Sequence, residues 1–349
     1  MKKQNNIKLF LSVIILITVV FFAEPIGAQS SYSQSSGTTT LTGQTFTSST
    51  NDLSAVKVTG GTLNLSNSTI SSSGNTSSND NSSFYGLNAV ILAYTSNGTA
   101  VINSSGNTIT STGTGANGIF AYGTASATTE NDIFIHTGDG GHAIMCSGGG
   151  TITVVNDSAV TSGASSSTIA TDRGSGTITV TGGYYAAKGN RSAAVYSTGV
   201  ITCTDATLVA EGAEALVVEG SNSIILNNCT TKCTYDKWGS LLYQSMSGDA
   251  DGVDGYLYLN GGTFTYTGTK GGMFYNTNST AHIYLNGVTL ENSCDTLVRC
   301  IKGSWGGSSA SSGGITRLYC DGQTLSGLIH VDANSTLYDT LYNYSNFTG

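Results

Sequence analysis

The sequence predicts an all-β chain wound as a right-handed parallel β-helix of about ten coils, preceded by an N-terminal export signal. Three observations carry this. First, 46 Gly, 47 Ser, 50 Thr and 27 Asn make up about half of the 349 residues, Pro occurs once, and charged residues reach only 10 %. Disorder goes with high net charge, many prolines and few β-branched or aromatic residues. Here hydrophobic residues reach 38 %, with 18 Tyr and 10 Phe, so the mixture is one of strand formers and turn formers. Second, one short pattern recurs along the chain. Third, no segment shows the 3.6-residue period of an amphipathic helix. The net charge of −8 comes without any basic run, which argues against nucleic acid or anionic lipid as a partner.

The chain begins with Lys2, Lys3 and Lys8, an apolar run of 15 residues from Leu9 to Ala23, and a small-residue site at Gly27-Ala28. The run is shorter than the roughly 20 residues that span a bilayer. Residues 1–28 therefore read as a signal peptide cleaved after Ala28, with an uncleaved N-terminal anchor as the alternative, and the mature chain as secreted, extracellular or displayed at the cell surface. Residues 29–50 read as a Ser/Thr-rich N-terminal segment or cap, and 51–349 as the β-helix, expected to continue beyond Gly349.

The recurring pattern has eight positions: apolar, any, apolar, polar, then Asn, Asp or Gly, any, usually Thr, usually apolar. It starts at Leu63, Ile152, Ile178, Ile201, Ile224, Leu257, Ile283 and Leu318, with weaker copies near Ile102 and Ala127. The steps between starts are 39, 25, 25, 26, 23, 23, 33, 26 and 35 residues, a base period broken by three insertions. Positions one and three alternate with polar neighbours, as a strand with one buried face requires. The fifth position holds Asn67, Asn156, Gly182, Asp205, Asn228, Gly261, Gly287 and Gly322, residue types that tolerate a left-handed backbone, so each repeat turns a corner there. A second apolar segment follows in each period, from Ala55-Val56 to Leu328-Ile329. Two or three strands per period describe one coil of a solenoid. A β-sandwich would need frequent hairpin signals, and a left-handed β-helix strict hexapeptides.

The insertions Ser245–Gly255 and Gly303–Gly314 fall between the second apolar segment of one coil and the eight-position pattern of the next, so they should leave at one corner, two coils apart. The third, Ser71–Gly86, reads as a mobile loop.

Candidate chemistry is sparse. The predicted mature chain has ten basic residues, scattered through the coils, whereas a uronate lyase needs a basic cluster. No outward column pairs two carboxylates as an inverting hydrolase would require, and the Asp172-Arg173, Lys188 and Arg191 neighbourhoods read as solvated turns. Asp249, Asp251 and Asp254 alternate like the oxygen ligands of a calcium loop, without the closing Glu; Ca²⁺ is the one cofactor they suggest, against the preferred reading of a solvated acidic turn. Cys203 and Cys320 take the inward third position and read as core thiols; the odd total of seven cysteines argues against a disulfide framework, with Cys229–Cys233 the one pairing to consider. Outward columns in the C-terminal coils carry Tyr256, His282 and Arg317 beside Tyr258, Tyr284 and Tyr319, an aromatic ladder of the kind on which sugar rings stack; stacking for stability alone is the competing reading. Trp305 adds an aromatic candidate in a nearby loop. The Thr-x-Thr pairs at Thr151/Thr153 and Thr177/Thr179 span too few coils for an ice-binding face.

The stretch GGMFYNTNSTAHIYLNGVTLENSCDTLVRC, the loop around Trp305, and LYCDGQTLSGLIHVDANSTL resemble adhesin-like β-helix repeat regions of large surface proteins from gut Firmicutes; with the pectate-lyase-like superfamily the likeness is one of fold only. It covers Gly271 to Gly349 closely and the earlier coils only in style. The resemblance implies a secreted or surface-displayed adhesin-like protein and supplies no catalytic residues. The reading that follows is a monomeric, non-catalytic binder of a glycan or other host or microbial surface ligand, with no membrane association after signal cleavage. A polysaccharide lyase or glycosidase on the same scaffold is the alternative.

Overall fold

The computed structural model describes residues 31–305 and 313–348; the predicted signal peptide and the middle of the Gly303–Gly314 insertion lie outside them. The chain forms a parallel β-solenoid of twelve coils. Two sheets have 12 strands each, and a third has 10 and is continued by a final parallel pair, Thr324–Ser326 with Asn346–Thr348. In each coil the chain passes from the first sheet (Tyr32–Gln34 to Leu328–Val331) to the second (Thr38–Thr42 to Thr336–Tyr342), turns a corner, and enters the third (Thr45–Ser48 to Thr289–Asn292).

The eight-position pattern of the sequence is the pairing register itself. Leu63 pairs with Ile102, then in succession come Ala127, Ile152, Ile178, Ile201, Ile224, Leu257, Ile283 and Leu318. Positions one and three face inward and are buried, Cys203 and Cys320 among them. Every fifth position is left-handed, from Asn67 at φ 50° to Gly182 at φ 67°. The two coils beyond the expected ten are the first and the last. Their registers place Thr39 and Asp339 at position one, so neither shows the apolar start by which the others are recognised. The first coil is formed by strands that lie within residues 29–50 and pair with the second coil in all three sheets.

The position after the corner points inward and forms a polar column in the early coils. Gln44 N donates to Ser68 Oγ at 3.0 Å, Ser68 N to Asn107 Oδ1 at 2.8 Å, Asn107 N to Asp132 Oδ1 at 2.6 Å and Asp132 N to Asp157 Oδ1 at 2.8 Å. Corner N–H groups outside the ladder must find acceptors once buried, and these side chains supply them.

All seven cysteines are free thiols, and Cys229 and Cys233 donate to separate carbonyls, of Cys203 and Ala213. The insertions after Tyr243 and after Cys300 both leave between the first and second sheets, two coils apart, as expected. The third expectation fails: Ser71–Gly86 contains an α-helix, α1 (Asn79–Tyr85), rather than a mobile loop. Ser78 Oγ accepts from Asn81 N, and Gly86, at φ 70°, closes the C-terminus by donating to Asn81 O and Ser82 O. Seven residues are too few for a 3.6-residue pattern to register in the sequence; capping and packing hold the helix instead.

Candidate functional site

The aromatic ladder forms on the outer face of the second sheet. Its strands Asp254–Asn260, Thr280–Asn286, Ile315–Asp321 and Thr336–Tyr342 have seven residues each, whereas the other strands of that sheet have five or six. The sheet is thus widest where the ladder lies. Tyr258, Tyr284 and Tyr319 stack with ring centroids 4.5 Å apart at both steps and planes within 10°. In the neighbouring column Tyr256 stacks on His282 at 4.7 Å, and the Arg317 guanidinium lies 4.8 Å from the Tyr338 ring centre. His282 Nε2 is 3.2 Å from Asp254 Oδ1. Parallel strands in register, spaced about 4.8 Å, bring like side chains into contact at ring-stacking distance. A flanking amide ladder runs from Asn286 Nδ2 to Asn260 Oδ1 at 2.6 Å and from Asn260 Nδ2 to Asn227 Oδ1 at 2.9 Å.

This geometry changes how the ladder can meet a ligand. The ring faces are spent on one another, so only the terminal rings have a face free for a sugar, and the rest present edges and hydroxyls. Partial burial among their neighbours pushes the Tyr258 and Tyr284 phenols above their ordinary pKa, which keeps them neutral and able both to donate and to accept. With Asp254, His282 and Arg317 alongside, the face is a polar rail suited to hydroxyl-rich ligands.

Trp305 is not part of this face. It packs outside the first sheet, 5.3 Å from the Tyr243 ring and 5.7 Å from Trp238, whose own ring stacks on Tyr275 at 4.1 Å. Asp249, Asp251 and Asp254 also separate. Asp254 opens a strand and faces His282, while Asp249 turns toward Asp172 and raises its pKa. Among the described residues no three His, Cys, Asp or Glu side chains are grouped to hold a metal ion. Asp254 is committed to the β-ladder two residues after the turn at Gly252.

Sequence reasoning missed a polar cluster on the outer face of the first sheet. Glu219 is 2 % exposed and accepts from Tyr196 and Ser245 hydroxyls, from Tyr243 Oη at 3.1 Å and from Ser245 N at 3.3 Å. Both its oxygens are thus occupied by protein donors. Asp172 is no solvated turn: it is half-buried, and that burial, with Asp249 and Glu219 nearby, pushes its carboxyl up to about 7. The available signal was register: Asp172 and Glu219 each stand three residues after the first residue of their first-sheet strands.

No family model, curated protein or solved structure matches the chain.

Proposed function

We propose that this solenoid is a secreted or cell-surface, adhesin-like binding protein that engages glycans along the widened face of its second sheet. The carrying observation is the combination on four adjacent seven-residue strands of stacked tyrosines, a His–Asp pair, a guanidinium and an amide ladder. Such a surface offers closely spaced donors and acceptors on a rigid backbone, and rigidity lowers the cost of ordering the site on binding. The stacked rings act as spacers that hold the hydroxyls in line. Recognition is therefore edge-on, by hydrogen bonds, with ring stacking confined to the ends of the ladder.

Retention on a glycan array or affinity gel tests this. Tyr258→Ala with Tyr284→Ala should abolish retention, and Tyr258→Phe with Tyr284→Phe, which keeps the stack and removes the hydroxyls, should weaken it at least several-fold. Unchanged retention in the alanine variant, or no glycan bound by the parent protein, overturns the reading. Incubation with uronate and neutral polysaccharides, followed by ultraviolet absorbance at unsaturated ends and by reducing sugar, separates it from a degrading enzyme; we expect no release.

A further inference from the structure

Two departures from the coil meet on the outer face of the first sheet. Helix α1 leaves between the second and third coils, and the loop after Tyr243 leaves within the ninth. Nevertheless Asn79 and Ser83 of the helix and Asp249 of the loop line one cavity of about 330 Å³. Its floor is made by Met145, Ala170 and Tyr196, outward residues of three successive coils, and Asp172 joins Asp249 in its wall. Solenoid coils need neither insertion for their own pairing, so their convergence is a feature of the surface and not of the scaffold.

Both roofs are pinned. Ser82 Oγ donates to Gly115 O at 2.5 Å, Ser147 Oγ to Phe84 O at 2.6 Å, and the Arg173 guanidinium lies 4.5 Å from the Phe84 ring centre. On the loop side Gln244 Nε2 donates to Ala250 O at 2.8 Å and Gly252 O at 2.7 Å, and Ser245 is tied to Glu219. The cavity is thus preformed between fixed elements, as ligand sites usually are.

Its charges are unbalanced. From the first sheet come Asp172 and, behind it, Glu219 with the neutral phenols of Tyr196 and Tyr243; from the loop comes Asp249. His142, in the wall, is pushed down to about 4 by burial and is neutral at pH 7, and its Nδ1 has no hydrogen-bond partner. Two cations stand against these three acids: Arg173 sits over Phe84 with its charge also felt by Asp172, and Arg191, an exposed residue, lines the cavity. Among the described residues neither Asp172 nor Asp249 forms a salt bridge. Carboxylates in a walled cavity with a tyrosine ring in its floor suit a weakly hydrated cation: the ring attracts the charge, the apolar floor takes the carbon, and the acids neutralise it.

We propose that this cavity binds a ligand carrying an organic ammonium group, with the charge held by Asp172 and Asp249 against the Tyr196 ring. The site is separate from the tyrosine ladder and does not depend on the glycan reading.

Calorimetric or NMR titration of the full chain with tetramethylammonium, and with tert-butanol as its neutral counterpart, tests this. Tetramethylammonium does not titrate, so any pH dependence belongs to the protein. It should bind at least about tenfold more tightly than tert-butanol. Asp249→Asn, which removes a half-buried carboxylate that forms no salt bridge and so should change melting little, should weaken it at least about tenfold, and the Tyr258→Ala, Tyr284→Ala variant should bind like the parent. Lowering the pH from about 8 to about 5.5 should weaken binding about tenfold or more, as Asp172 takes up its proton. Equal affinity for the two probes, no saturable binding of tetramethylammonium, or full binding by Asp249→Asn overturns the proposal.

Discussion

Replacing Asp157 by Asn should stabilise the solenoid at alkaline pH. Asp157 is 1 % exposed; its Oδ1 accepts from Asp132 N at 2.8 Å, and its Oδ2 has no hydrogen-bond partner. Burial first, and then the nearby Asp132 and Glu130 carboxylates, push it from 3.8 up to about 7. A carboxyl raised in the folded state favours folding while protonated in both states. That contribution is complete below about pH 4 and is lost as pH rises through about 7. A shift of about three units corresponds to at most about 4 kcal/mol, and relaxation around the charge brings the expected loss to about 2 kcal/mol. Asparagine keeps the acceptor for Asp132 N and carries no charge. Its amide would point toward Thr129, whose Oγ1 has no hydrogen-bond partner, much as Asn107 in the same column donates to Ser104 Oγ and Leu65 O. Denaturant melts at about pH 4, 6 and 8 followed by circular dichroism measure this. Asp157→Asn should exceed the parent by about 2 kcal/mol at pH 8, with the advantage gone by pH 4. His136 and His142, pushed down to about 4, lose stability in the opposite direction as pH falls below about 6.5, but they do so in parent and variant alike. A variant no more stable than the parent at pH 8, or a gain that does not change with pH, would refute the account.

Two further outcomes are expected. Gly262→Ala should lower the melting temperature by several degrees: φ there is 70°, and a β-carbon would stand 2.2 Å from Cys229 O, so both backbone strain and a clash with backbone oppose it. Melting in the presence of a chelator should match melting without it, since the Asp249 loop gathers no three-ligand group; a drop on chelation would restore the calcium reading.

Much of the scaffold was legible because its rules are local and repeat. Alternation puts Leu63, Ile152 or Ile283 inward, and a left-handed corner selects Asn, Asp or Gly four residues later. Repetition then makes the pairing partner the same position one period away. The polar column from Ser68 to Asp157 was not legible, because its residues resemble ordinary turn residues until the corner is known to close on the core. Helix α1 was hidden by its shortness.

The candidate sites divide in the same way. Sequence alone established that Tyr258, Tyr284 and Tyr319 share an outward column, since register and alternation decide this. Tertiary structure decided that their faces are closed to one another, that Trp305 belongs to a different surface, and that Asp249 stands beside Asp172 instead of Asp254. The physical reason is that stacking distance and the paths of insertions are set between coils. A parallel ladder carries each coil only a strand spacing further, whereas an insertion can reach across several coils, and no property of a single repeat specifies where it comes to rest.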